Sequence, residues 1–463
     1  MVEAKTRGRQ EMKRSGKLWV IIFNIAIIIY FLSVQYVYSE EGAKVYTLNE
    51  SVAEALDNNW TIKAKEEKIL ESEFARKQAK ADFLPKFSTS YGYTRLNDVT
   101  MSQASSITLP GPTVITIPGR NLNTQDNYQW KVTINQPLFT GYALTSAYEL
   151  AKLGIDLSKV ELDLERVNLA LKVKEAYFNI LKADKAVDVA MKAVESLQSH
   201  LKVAHNFYDV GMIPINDLLK AEVELANAQY DLTRAQNGSK LSRASFNDLL
   251  ARPIDSPVEV EDILVYVPDF PDYNAYLEKA LKNRPEIKSI DINSDQIDQQ
   301  IRLAKSKYYP EIGVTYTYLK QGDTASLSGS NFVDANSWEV LAVANWTLFE
   351  WGKTYYTAKE KESVKRQILQ TKSDVEDGIR LQVKQAVLDI DSSASNIPVT
   401  QKGIESGEEN LRVNAERYKA QVSTITDLLD AQTLLARARL DYYRALYDHN
   451  LAKARLDRAL GNY

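Results

Sequence analysis

Few side chains in this sequence are equipped for covalent chemistry. It contains no cysteine, which removes thiol nucleophiles, thiolate metal sites and disulfides together. Histidine occurs only at 200, 205 and 449. His200 and His205 are five apart, whereas a helical metal pair needs a spacing of three or four. His449 continues a row of sevens from Tyr442, as a packed or water-facing helix residue. No glycine-rich phosphate loop is present, so energy for any transport must come from another protein. The five methionines are scattered, which disfavours a thioether route for copper. No catalytic set, metal or cofactor is expected, and the chain does not read as an enzyme.

What remains is carboxylate electrostatics. Asp427 and Asp430 are three apart, on one face of a helix. Repeated around an axis they would form two stacked acidic rings, which favour cations over anions. Asp217-Leu218-Leu219 recurs as Asp427-Leu428-Leu429. A plainer reading also fits two of the three. Pro214 suits a helix start and puts Asp217 in the first turn. Thr424 and Asp427 resemble a capping box with Asp in place of Glu. Asp430 lies a turn further in, where capping explains it poorly.

The elements that hold these residues are long. Tyr128, Trp130, Val132 and Ile134 alternate with Gln129, Lys131, Thr133 and Asn135, the pattern of a half-buried strand. Pro137 and Gly141 are expected to break it. A helical run follows from Tyr142 to about Tyr208, a rod of about 100 Å. Val173, Ile180, Val187, Val194, Leu201 and Tyr208 recur at sevens, beside Ala176, Ala183, Ala190, Leu197 and Ala204. That is a coiled-coil seam. Ahead of it, Thr47 to Phe83 reads as one helix ended by Pro85, and Phe87–Arg95 as a strand. Asn97–Asn127 reads as a polar loop.

The same programme then restarts. Leu56, Asn58, Ile62 and Pro85 recur 225 residues on as Leu281, Asn283, Ile287 and Pro310, and Leu138-Phe139 recurs 210 on as Leu348-Phe349. Strands are expected from Ile312 to Tyr318 and from Trp338 to Leu348, then a long helix from Gly352. The chain is one duplicated unit, with repeats at 40–272 and 273–463. One difference stands out: Pro398 should break the second long helix or bulge it.

Residues 1–39 read as a secretory signal, with Lys13, Arg14 and Lys17 before the apolar run Leu18–Leu32 and a candidate cleavage point after Ser39; the alternative is an uncleaved anchor helix, since the apolar tract extends nearly to Val37. Its six basic and two acidic residues leave the rest at about −8, against −4 for the whole chain. That acidity argues against nucleic acid. Four candidate spanning strands cannot close a barrel, because sheet edges cannot stay unpaired in lipid. Known bacterial barrels begin at about eight strands. Two copies would be too narrow for an open lumen; three would give twelve strands. The expected fold is an α+β membrane protein: a trimeric 12-stranded β-barrel, four strands per chain, continued by a long α-helical coiled-coil barrel.

The chain resembles the TolC-type family of outer-membrane efflux channels. The likeness covers essentially all residues after the signal. It rests on the duplication, on the Pro-ended helices Ala79–Pro85 and Ala304–Pro310, and on the junctions Gln136–Gly141 and Trp346–Gly352. The most specific matches are the helical turns Phe207–Asp217 and Arg417–Ala431. The resemblance implies a homotrimer in outer-membrane lipid that extends into the periplasm. It would be a passive exit duct for efflux or type I secretion, joined by a periplasmic adaptor to an inner-membrane pump.

The resemblance also places a gate at the turns, with Asp217, Asp427 and Asp430 around the mouth. Asp217 matches an acidic residue that latches the closed state. Adaptor docking would fall on Gly211, Met212, Ile213, Pro214, Val422, Ser423 and Thr424. This sequence departs from the pattern twice. Gln421 replaces the usual Gly of the second turn, so adaptor contact is carried more firmly at Gly211. Ser423 replaces the basic latch residue, which leaves open how the closed state is held. The alternative function is a periplasmic coiled-coil adaptor or scaffold, but that would need one helical hairpin flanked by compact β domains.

Overall fold

The computed structural model describes residues 44–268 and 272–463. The expected signal, 1–39, lies outside the described residues. In chain order the elements are β1 (Val45–Tyr46), α1 (Leu48–Asn58), α2 (Trp60–Ala81), β2 (Lys86–Arg95), β3 (Ser105–Thr108), β4 (Val114–Ile117), β5 (Asp126–Thr140), α3 (Ala143–Asp209) and α4 (Ile215–Leu249). Then come β6 (Glu259–Val260), α5 (Tyr273–Asn283), α6 (Pro285–Lys305), β7 (Glu311–Gly322), β8 (Asn336–Asn345), α7 (Lys353–Lys419) and α8 (Ile425–Ala459).

Four strands form one antiparallel sheet in the order β2-β5-β7-β8. Its register sorts the side chains cleanly. Tyr91 pairs with Trp130 and Tyr93 with Tyr128, Tyr318 with Val132 and Tyr316 with Ile134, and Tyr318 with Trp338. One face is therefore aromatic and aliphatic. The other carries Ser90, Lys131 and Leu319 in one row and Ser88, Thr133, Thr317 and Glu339 in the next. Among the described residues β2 and β8 each pair on one side only, and every residue in both is exposed in the single chain.

Several expectations need correction. Pro137 does not end its strand; β5 runs on to Thr140 with a bulge between Pro137 and Phe139. A bulge is where a strand tolerates a residue that cannot donate. The polar loop 97–127 contains the hairpin β3–β4. The fourth strand stops at Asn345 rather than Leu348. The first helix is two, because Asn59 turns extended (ψ 134°), caps α2 through Thr61 N–H at 2.9 Å and donates to Leu249 O at 2.8 Å. That is the work of an N-cap asparagine.

Both strand-to-helix junctions use two consecutive left-handed residues, Gly141 and Tyr142 before α3, Trp351 and Gly352 before α7. A side chain at Gly141 would collide with the Ser306 carbonyl oxygen, so only glycine lets β5 pass α6 here. Each rod then runs 67 residues. α7 is unbroken across Pro398, contrary to expectation. The proline removes one helical hydrogen bond, but packing on both sides of it persists: Ile397 is buried, and Gly407 brings α7 close to Leu435 of α8.

The heptad rows of α3 are buried only in part: Val173, Ala176, Ile180, Val194, Leu197 and Ala204 are buried, Ala183, Val187, Ala190 and Leu201 are half-buried, and Tyr208 is exposed. On α8, Leu428, Ala431, Leu435, Ala445, Ala452, Leu456 and Ala459 are buried. Midway, Tyr46, Ile62, Val173, Tyr177, Phe246 and Leu451 share one core. Each such side chain contributes about 1.5–3 kcal/mol by burial. The Tyr177 hydroxyl lies 2.9 Å from Tyr46 O and 2.8 Å from Glu261 O, tying β1 and the linker to α3. Burial and the nearby Glu261 charge push that phenol up to about 12.

Candidate functional site

The far ends of the two rods reverse by the same geometry. After α3, Gly211 N–H donates to Tyr208 O at 2.9 Å and Met212 N–H to Phe207 O at 2.8 Å. After α7, Gln421 N–H donates to Tyr418 O at 2.9 Å and Val422 N–H to Arg417 O at 2.9 Å. These are paired C-terminal caps of the kind that need a left-handed residue. Gly211 has φ 74° and Gln421 φ 61°. Nothing lies within 4 Å of a Cβ at Gly211, so glycine is needed there for conformation alone. Gln421 takes the same shape at a cost of about 1–2 kcal/mol. Gln421 in place of the expected glycine therefore does not alter the turn.

A compact apolar cluster sits behind the turns: Leu197, Ala204, Leu218, Ala221, Tyr418, Ile425, Leu428 and Leu429. It welds the α3–α4 hairpin to the α7–α8 hairpin. Ile213, expected to be an exposed tip residue, packs partly buried against it. Met212 and Val422 are exposed, at 58% and 63%. Gly211, Pro214 and Thr424 are exposed as well, and Ser423 is half-buried.

The three aspartates part company here. Asp427 completes a capping box: Thr424 N–H donates to its carboxylate at 2.9 Å, the Thr424 hydroxyl donates at 2.8 Å, and Asp427 N–H donates to the hydroxyl oxygen at 3.2 Å. Those two donors, the backbone one first, hold its carboxyl below the usual range. Asp217 does not cap with its side chain. Its Oδ1 accepts from Lys220 Nζ at 3.2 Å, and Lys220 Nζ also lies 3.5 Å from Thr426 Oγ1 on the other hairpin. Asp430 is exposed and, among the described residues, has no hydrogen bond or ion pair. It lines a groove of about 660 Å³ between α4 and α8, together with Lys220, Glu224 and Thr426.

Two features were missed in the sequence. Tyr418 is 4% exposed although its counterpart Tyr208 is 39% exposed. Its hydroxyl and the Ser423 hydroxyl are buried and find no hydrogen-bond partner among the described residues. Burial, with the Asp217 charge behind it, raises the Tyr418 phenol above its usual value. Lys220 was also passed over, although it stands 210 residues before Asp430, the interval that separates Asp217 from Asp427. Among the histidines, His200 reaches Ser196, which donates to Gln432 of α8 at 2.7 Å. His449 is buried, with Nδ1 3.2 Å from the Ser393 hydroxyl. No group of acidic, histidine or cysteine side chains among the described residues is arranged to hold a metal.

A family model described as "Outer membrane efflux protein" matches residues 52–252 and 276–462. The chain is similar to outer membrane protein TolC of Escherichia coli, 23% identical over 315 residues, 63% of this chain and 61% of that one. The match thus spans about three fifths of that relative. It is also similar to the alkaline protease secretion protein AprF of Pseudomonas aeruginosa, 22% identical over 72% of this chain and 69% of the relative. Among solved structures, the Campylobacter jejuni CmeC outer membrane channel aligns with a TM-score of 0.73 at 15% identity, over 89% of this chain and 85% of that one.

Proposed function

This chain belongs to the outer membrane efflux protein family, and from that premise we propose that three copies form a passive duct through the outer membrane and across the periplasm. One observation carries the reading. A sheet with an aromatic face and a polar-rich face ends in two unpaired edges, β2 and β8, and continues into two 67-residue helices. In lipid the edges must be paired. Joining β8 of one copy to β2 of the next makes twelve strands, with aromatics toward lipid and polar rows toward water. Each structural repeat, 40–272 and 273–463, supplies one strand pair and one helical hairpin.

The hairpin ends are the gate. Asp430, with Asp427 and Asp217, sets the charge of the closed mouth. Met212 and Val422, flanked by Gly211, Pro214, Ser423 and Thr424, are the docking tips for a periplasmic adaptor, with Ile213 as their packed base. The adaptor links the duct to an inner-membrane pump, which selects the cargo, whether small molecules or proteins. A lone adaptor or scaffold does not need an amphipathic membrane sheet.

Planar-bilayer recording of the purified full chain tests this. Low, cation-preferring conductance is expected, rising several-fold on Asp430→Ala with weaker cation preference. Unchanged conductance and selectivity would remove the gate assignment; absence of any channel would remove the duct.

A further inference from the structure

The gate reading leaves one residue unexplained, and the following rests on that reading. We propose that Lys220 is the counter-charge of Asp430, and that it supplies the cation missing from Ser423. The duplication is the first ground. Asp217 and Lys220 in one repeat occupy the positions of Asp427 and Asp430 in the other, 210 residues apart. Each lies three residues past the first-turn aspartate, on the matching helix face. In a closed ring of three chains the two hairpins alternate, so three lysines stand between three aspartates at one level. The ring is then balanced rather than purely acidic.

The geometry of the single chain is the second ground. Lys220 and Asp430 line the same groove. Lys220 Nζ already reaches across it to Thr426 Oγ1 at 3.5 Å, and Thr426 lies one helical turn before Asp430. The contacts of Lys419 with Glu416 at 3.0 Å and of Arg417 with Val422 O at 3.4 Å stay within their own hairpin, whereas Lys220, paired with Asp217 at 3.2 Å, also reaches the other one. The Lys220 and Asp217 side chains are 46% and 26% exposed. Lys220 is thus free to exchange partners as the hairpins shift, and the pairing is open to screening by salt. The latch that the second hairpin turn lacks is built from Lys220, in the second turn of α4, instead.

Bilayer recording of the full chain in a KCl gradient tests the assignment. Lys220→Gln should raise conductance a few-fold and shift the reversal potential toward stronger cation preference, a change that loosened packing alone would not give a sign. Lys220→Arg should keep the low-conductance state. The exchange Lys220→Asp with Asp430→Lys should restore it, and Lys220→Gln combined with Asp430→Asn should open the channel no further than the larger single effect. If Asp430→Asn opens the channel but Lys220→Gln leaves both conductance and reversal potential unchanged, or if the two effects simply add, this inference fails and the gate reading stands. If neither substitution changes the channel, both fail.

Discussion

Asp427 shows why residue type alone underdetermines a role. Its carboxylate is occupied by Thr424, through a backbone N–H and a hydroxyl, so it stabilises the start of α8 whatever else it does at the mouth. Because those bonds lower its folded pKa below the usual 3.8, their stabilisation is complete above that value. It is lost as pH falls through the lower, folded value. Thr424→Ala should therefore lower the unfolding temperature of the detergent-solubilised chain at pH 7, with the deficit shrinking as acid protonates Asp427. An equal deficit at pH 7 and pH 2 would show that the cap does not depend on the carboxylate. Asp430 has no such local task, and its position past the cap was readable from spacing. Lys220 and the burial of Tyr418 were not. Both depend on how two hairpins 210 residues apart lie together, which no local pattern records.

At the scale of elements, periodicity was the strong signal. The seam rows at sevens placed the first rod, the internal duplication placed the second, and alternation placed the four sheet strands, because each pattern is set by a helix or strand burying one face. Prolines and small breaks were read less well. Pro137 was absorbed by a bulge, and Asn59 split a helix that periodicity alone carried through. Pro398 was expected to interrupt α7 and does not, since the helices packed around it hold the backbone in line. It still forfeits a hydrogen bond. Pro398→Ala should stabilise α7 by about 1–3 kcal/mol, visible as a higher unfolding temperature. A fall instead would mean that the proline relieves strain which an ideal helix cannot accommodate.

For the whole molecule, the decisive observation is the sheet's edges, and the reading proposed above is that a single chain is unfinished. Its sheet has two open edges, and in the single copy β2 and β8 are exposed along their whole length. Gate, docking tips and the Lys220–Asp430 ring all presuppose that other copies complete the wall. Native mass spectrometry of the full chain released from detergent micelles tests that directly. Three chain masses in a single assembly are the expected result. A species that stays monomeric, and dissolves without detergent, would contradict it.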